Sequence, residues 1–201
     1  MVHFVGAGSG AKDLITVRGM NLLKNADVII YAGSLVNPEL LEYAEDSCEI
    51  YNSAYMTLEE IIDVIKTADS ENKDIVRLHT GDSSIYGAIR EQIEQLNSYD
   101  ISWDICPGVS SFLAAAAAAG CEYTVPGISQ SLIITRMEGR TPVPEKEKMR
   151  EILINKNFGD YYNKILNVTK NNNKAYIKDF LGSIADLNYE YIDKHMKLID
   201  E

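Results

Sequence analysis

Four short stretches of the sequence carry residues suited to holding a small ligand. Gly6-Ala7-Gly8-Ser9-Gly10-Ala11 sets three glycines two apart. Glycine has no side chain in the way, so such a backbone approaches an anionic or bulky group closely. Thr80-Gly81-Asp82-Ser83-Ser84-Ile85-Tyr86-Gly87 packs hydroxyls, a carboxylate and a flexible glycine into one run. That lining suits an adenosyl group or the ammonium tail of a sulfonium. Pro107-Gly108-Val109-Ser110-Ser111 brings two more hydroxyls, and Arg136 and Arg140 flank a glycine in Arg136-Met-Glu-Gly-Arg140. Arginine captures carboxylates through two parallel N–H bonds, which is the chemistry that pair offers. Each stretch also has a plainer reading: tight turns for the glycines, helix capping for Asp82, Ser83, Ser110 and Ser111, and solvation for the arginines.

Other chemistries find less support. The glycine run matches G-x-G-x-x-A, the dinucleotide fingerprint, which also requires an acid at the end of the next strand. That strand ends Ile29-Ile30-Tyr31-Ala32-Gly33, with no Asp or Glu for a ribose hydroxyl. A nicotinamide site is therefore disfavoured. His79 has no second His or Cys beside it and reads as a hydrogen-bonded strand residue; no metal is expected. Cys48, Cys106 and Cys121 form no CxxC pair and read as reduced thiols. No Ser/His or Cys/His set suggests a side-chain nucleophile.

Alternating elements position these stretches. Val2–Gly6, Asp27–Tyr31, Glu49–Tyr51, Asp74–His79 and Ile101–Cys106 read as strands. Helices are expected over Leu14–Lys24, Glu39–Ala44, Leu58–Thr67 after the capping box Thr57-Leu-Glu-Glu60, Ser84–Asn97 and the alanine-rich Val109–Ala119. A further strand is read at Leu132–Thr135. Strands alternating with helices imply a parallel sheet with right-handed crossovers, an α/β layer. Ligands on such sheets sit beyond the carboxyl ends of the strands, where three of the runs above begin.

The chain as a whole has 201 residues, 46% of them hydrophobic, and a net charge of −11. That balance argues against a nucleic-acid partner, which calls for clustered Lys and Arg. No apolar run approaches the roughly 20 residues of a membrane span, and the first residues do not read as a signal peptide, so a cytoplasmic protein is expected. Residues 1–147 hold 10 Lys+Arg against 22 Asp+Glu, whereas residues 148–201 hold 9 against 8. All five prolines and eleven of the thirteen glycines precede residue 148. Two segments of different character meet there.

VHFVGAGSGAKDLITVRGMNLLKNADVIIYAGSLVNPELL, RLHTGDSSIYGAIREQ, CPGVSSFLAAAAAAG and TRMEGRTPVPEKE, in this order and spacing, resemble the tetrapyrrole methylase family. YAGSLVNPELL and TRMEGRTPVPE are similar to its branch acting at C-11 of precorrin-4 or cobalt-precorrin-4. The resemblance covers residues 1–147. It implies an N-terminal α/β parallel-sheet domain over 1–125, the start of a second domain over 126–147, and a helical tail over 148–201 that does not match. It further implies S-adenosylmethionine as methyl donor, held by Thr80, Gly81, Asp82, Ile85, Ser110 and Ser111. The tetrapyrrole would lie toward Gly6, Gly8, Ser9, Gly10, Gly33, Ser34, Leu35, Arg136 and Arg140. Ser9 and Ala11 stand where the family often has Pro and Asp, a variant of that loop.

The implied reaction moves a methyl group in line from a sulfonium to a ring carbon in cobalamin biosynthesis. A sulfonium is a strong electrophile, so alignment and water exclusion are the protein's main task. No general base is named; Tyr86 and Asp82 stand nearer that chemistry than any histidine. A homodimer is also implied. Apolar residues from Phe158 to Tyr191 recur at helical spacing, giving two amphipathic helices joined at 169–173. Without the family's second domain, methyl transfer is expected to be impaired. A tail that makes a dimer or partner interface on a non-catalytic scaffold is the competing reading.

Overall fold

A computed structural model describes residues 1–127, 130, 132–136 and 142–148. The chain divides into two compact units, Met1–Ala114 and Ala115–Glu201. The predicted tail helices, and the interface expectation built on them, lie outside the described residues.

The first unit holds five strands, β1 (Val2–Gly6), β2 (Val28–Tyr31), β3 (Glu49–Asn52), β4 (Ile75–His79) and β5 (Trp103–Cys106). They form one sheet in the order β3-β2-β4-β1-β5, and every pairing is parallel. β4 is central and buried at all five positions, as a strand covered on both faces must be. Three α-helices lie within this unit, α1 (Val17–Asn25), α2 (Leu58–Ser70) and α3 (Ile89–Ser98).

The order of the strands dictates where the helices go. From β1 to β2 to β3 the chain moves toward one edge, and from β3 to β4 to β5 it moves back. Right-handed crossovers then put the two sets of connections on opposite faces. Two cores result. Ile61, Ile62 and Ile65 of α2 and Leu96 of α3 pack on Val2, Phe4, Ile30 and Ile75. On the other face, Leu23 of α1 and Leu40 pack on Val5, Ile29, Val76 and Leu78. β4 therefore lies between two strands, β1 and β2, whose connections leave to the face opposite its own. Its loop enters the crevice this creates at the carboxyl edge.

Local chemistry sets the helix starts. Thr16 Oγ1 accepts from Gly19 N–H at 3.0 Å and begins α1 at Val17 rather than Leu14. The predicted capping box opens α2: Thr57 Oγ1 accepts from Glu60 N–H at 3.2 Å, and Glu60 Oε2 accepts from Thr57 N–H at 2.7 Å. The segment after Pro38 is a 3₁₀ turn, Pro38–Tyr43, instead of an α-helix. The largest departure follows β4. The predicted helix from Ser84 begins only at Ile89, because Tyr86 (φ 56°) and Ala88 (φ 49°) adopt left-handed backbone.

α4 (Ser111–Ala119) forms within the predicted Val109–Ala119 and has no buried residue. In the second unit, residues 132–135 form no strand, and Glu145–Glu147 make a 3₁₀ turn. No helix of the described residues is long and apolar enough to cross a membrane.

Candidate functional site

The loops after β1, β4 and β5 meet through backbone. Gly8 N–H donates to Gly81 O at 3.1 Å and Gly81 N–H to Gly8 O at 2.9 Å, an isolated antiparallel bridge between the first two loops. Ala7 N–H adds a bond to His79 O at 2.7 Å. Gly6 and Gly108 pass so closely that a Cβ on Gly6 would stand 2.6 Å from Gly108 Cα and from Gly81 O. Glycine at these two positions is what lets three loops share one place.

Asp82 ties the same loops by its side chain. Oδ1 accepts from Ser84 N–H at 2.9 Å and from the Ser84 hydroxyl, and Oδ2 accepts from Gly108 N–H at 2.8 Å. Burial pushes this carboxyl up, but the bonds from Ser84 and Gly108 outweigh it and hold the group below its ordinary value. Asp82 is thus an ionised strut between the β4 and β5 loops. It caps no α-helix, since α3 starts seven residues later.

The structure brings only some of the predicted residues together. Gly6, Gly8, Gly81, Asp82 and Ser110 are brought together; a Cβ on Gly81 would lie 3.7 Å from Ser110 Oγ and 3.8 Å from Ser111 N. Thr80 and Ile85 flank them, half-buried, with Ile85 N–H on Asp82 O at 3.2 Å. Gly10 O accepts from Asn37 Nδ2 at 2.8 Å, which joins the β1 loop to the segment after β2. Gly33 and Ser34 lie in the turn Gly33–Leu35 after β2, and Gly33 sits against Ala54. Ser9 is half-buried and its hydroxyl has no partner among the described residues. Arg136 belongs to the second unit, where its Nη2 donates to Pro142 O at 3.0 Å. Arg140 lies outside the described residues.

Further residues have a stake in the site that the sequence did not assign to it. Gly108 is the close-approach partner of Gly6, and only the pairing of β1 with β5 reveals it. His79 was expected to be hydrogen-bonded, yet its Nε2 is buried and unpartnered, as is the Ser83 hydroxyl. Beneath them, Arg77 is 5% exposed; Nε donates to Gln92 Oε1 and Nη1 to Ile30 O, both at 2.9 Å. Gln92 Nε2 in turn donates to Ala88 O at 3.1 Å, pinning the left-handed residue where α3 begins. Of the two residues nearest general-base chemistry, Asp82 is committed to the loops and Tyr86 is 60% exposed.

Burial, reinforced by the Arg77 guanidinium, pushes the His79 imidazole down to about 3. In the unfolded chain it titrates near 6.5. Between those values the unfolded state binds the extra proton, so the fold loses stability as pH falls, by at most about 1.4 kcal/mol per pH unit. Urea unfolding from pH 7 to pH 4 should show His79→Leu with a slope shallower by about one proton. An unchanged slope would show that the buried imidazole is not the source.

Close glycines, an ionised strut and unpartnered buried polar atoms at the carboxyl edge of a parallel sheet fit a bound small molecule with polar groups of its own. Among the described residues no cluster of three His, Cys, Asp or Glu stands ready for a metal.

Comparison with known proteins agrees with this architecture. The family model for tetrapyrrole (corrin/porphyrin) methylases matches residues 1–181, running past the compositional break at 147. The cobalt-precorrin-4 C(11)-methyltransferase of Methanocaldococcus jannaschii is 60% identical over 151 residues, 75% of this chain and 58% of that protein. The precorrin-4 C(11)-methyltransferase of a Sinorhizobium species is 48% identical over 149 residues, 74% of this chain and 59% of its own. The chain thus spans about three-fifths of the length of these relatives. The X-ray structure of a cobalt-precorrin-4 methyltransferase superposes with a TM-score of 0.74 at 46% identity, covering 77% of this chain and 65% of that one. Uroporphyrin-III C-methyltransferase from Thermus thermophilus, solved with S-adenosylhomocysteine, gives 0.53 at 28% identity over 65% of this chain and 52% of that one. The chain belongs to the tetrapyrrole (corrin/porphyrin) methylase family.

Proposed function

We propose that this chain takes part in S-adenosylmethionine-dependent methylation of C-11 of precorrin-4 or cobalt-precorrin-4 in cobalamin biosynthesis. The 60% identity to a cobalt-precorrin-4 C(11)-methyltransferase over three-quarters of the chain carries the reading. The convergence of Gly6, Gly8, Gly81, Asp82 and Gly108 supports it.

S-adenosylmethionine supplies an electrophilic methyl group, and the chain's own residues hold and orient. The glycine loops admit the donor close to the backbone. Thr80, Gly81, Asp82, Ile85, Ser110 and Ser111 form its side of the site. Gly6, Gly8, Ser9, Gly10, Gly33 and Ser34 make the side proposed for the tetrapyrrole, and Arg136 and Arg140 are the proposed partners of its carboxylates. Asp82 keeps the β4 and β5 loops in register, and with them the lining against which the donor would be aligned. Residues 1–125 make the first domain and 126–147 the start of the second. The same reading makes the protein a cytoplasmic homodimer.

Isothermal titration with S-adenosylhomocysteine, followed by methyl incorporation into cobalt-precorrin-4, tests the proposal. Saturable binding at one site per chain is the expected result. No heat of binding and no incorporation would overturn it.

A further inference from the structure

Between α2 and β3 the first unit holds a cavity of about 300 Å³. Helical spacing builds one wall: Val64, Ala68 and Glu71 line up beside the stripe of Ile61, Ile62 and Ile65 that packs on the sheet. Strand alternation builds the other. Glu49 and Tyr51 stand two apart on β3, and Val28, the register partner of Glu49, continues that face on β2. β3 is the last strand on its side of the sheet, so no further strand closes the cleft. Val28 and Glu49 open their parallel strands, which puts the cleft toward the amino ends, away from the glycine loops.

Floor and rim differ in kind. Val28 and Ala68 are buried, and Val64 and the Tyr51 ring pack half-buried beside the same core. The rim sets three carboxylates, Glu49, Asp63 and Glu71, against one ammonium, Lys73. Lys73 Nζ lies 2.7 Å from Glu49 Oε1 and 2.7 Å from Glu71 Oε2, and Tyr51 O–H donates to Glu49 Oε2 at 2.8 Å. Glu49 is thus engaged through both oxygens. Glu71 uses one oxygen on Lys73, and Asp63 has only Lys66, at 3.8 Å. Asp63 and Glu71 lie eight residues apart on α2, so a rise of 1.5 Å per residue separates their backbones by about 12 Å. Val64 and Ala68 stand between them in the helix.

We propose that this cleft binds a linear alkyl diammonium, the chemistry of a polyamine, with one cationic end at Asp63, the other at Glu71, and the hydrocarbon on Val28, Val64 and Ala68. An acidic rim repels anions and attracts cations, and the apolar floor favours methylenes between the charges over water. The size matches the lower end of the range for small-ligand pockets. The inference goes beyond the function proposed above and draws on none of its residues.

The test titrates the wild-type chain with 1,8-diaminooctane, 1,2-diaminoethane and 1,8-octanediol, following the backbone amides of Val64 and Ala68 by NMR. The long diamine should saturate those shifts and bind about tenfold more tightly than the short one, which carries the charges without the hydrocarbon. The diol, which carries the hydrocarbon without the charges, should bind more weakly than the long diamine. Asp63→Asn combined with Glu71→Gln changes two exposed side chains, and urea unfolding confirms that the variant is folded. It should lose about fivefold for the long diamine and keep its response to the diol. Equal binding of the two diamines would reduce the effect to surface charge and overturn the assignment. A diol as tight as the long diamine, a double variant with undiminished affinity, or no shift at Val64 and Ala68 would each overturn it as well. No methyl donor enters the test, so its failure leaves the function proposed above standing.

Discussion

Gly108→Ala should cost about 2–4 kcal/mol of stability and at least tenfold in affinity for S-adenosylhomocysteine. The new methyl would stand 2.7 Å from Gly6 Cα and 2.8 Å from Gly6 C, and it would run into Gly81 O. All three obstacles are backbone, so no side-chain rotation relieves them. Relief requires the β5 loop to move away from the β1 and β4 loops. That movement stretches the Gly108 N–H bond to Asp82 and opens the place where the candidate residues meet. Gly10→Ala is the comparison. A Cβ there meets nothing within 4 Å, although φ is +126°, so only backbone strain of about 1 kcal/mol is expected. Urea unfolding and titration on both variants separate crowding from strain. Equal losses at the two positions would refute the crowding account.

Arg77→Met should destabilise the first unit by about 1–3 kcal/mol, the range for leaving a buried hydrogen-bonding group without its partner. The guanidinium pairs with no carboxylate among the described residues; it is held by a carbonyl and an amide. Burial pulls it down to about 10, so it stays charged at neutral pH. Its loss would leave Gln92 Oε1 unbonded inside the core and take from Ile30 O its side-chain donor, and Gln92 would no longer be held in place to bind Ala88 O. Adding Gln92→Leu removes the stranded amide, and the double variant should recover part of the stability. A double-mutant cycle by chemical denaturation measures this. Strictly additive losses would show that Arg77 and Gln92 do not act as a unit.

These two residues show where sequence reading works and where it ends. The five strands, their parallel arrangement and the capping box at Thr57 followed from hydrophobic runs, turn residues and the spacing of Thr57 and Glu60. Such signals are local, and each depends on residues within a turn or two. The start of α3 was misplaced because a distant cause sets it. Ala88 is held left-handed by Gln92, which Arg77 of β4 holds in turn, and no window of neighbouring residues contains that chain of bonds. His79 was misjudged for the same reason. A lone histidine in a strand is usually bonded, and only its burial among Phe4 and the loop residues shows a nitrogen without a partner.

By itself the sequence determined the class of fold, the family and the runs that line the carboxyl edge, since these rest on residue types and spacing along the chain. Tertiary structure alone decided that β4 lies between β1 and β2 and that Gly6 meets Gly108. It also decided that Asp82 is a strut rather than a cap, and that Ser83 and His79 face inward unpaired. Those are contacts between residues far apart in the chain. They exist only once the crossovers have chosen their faces.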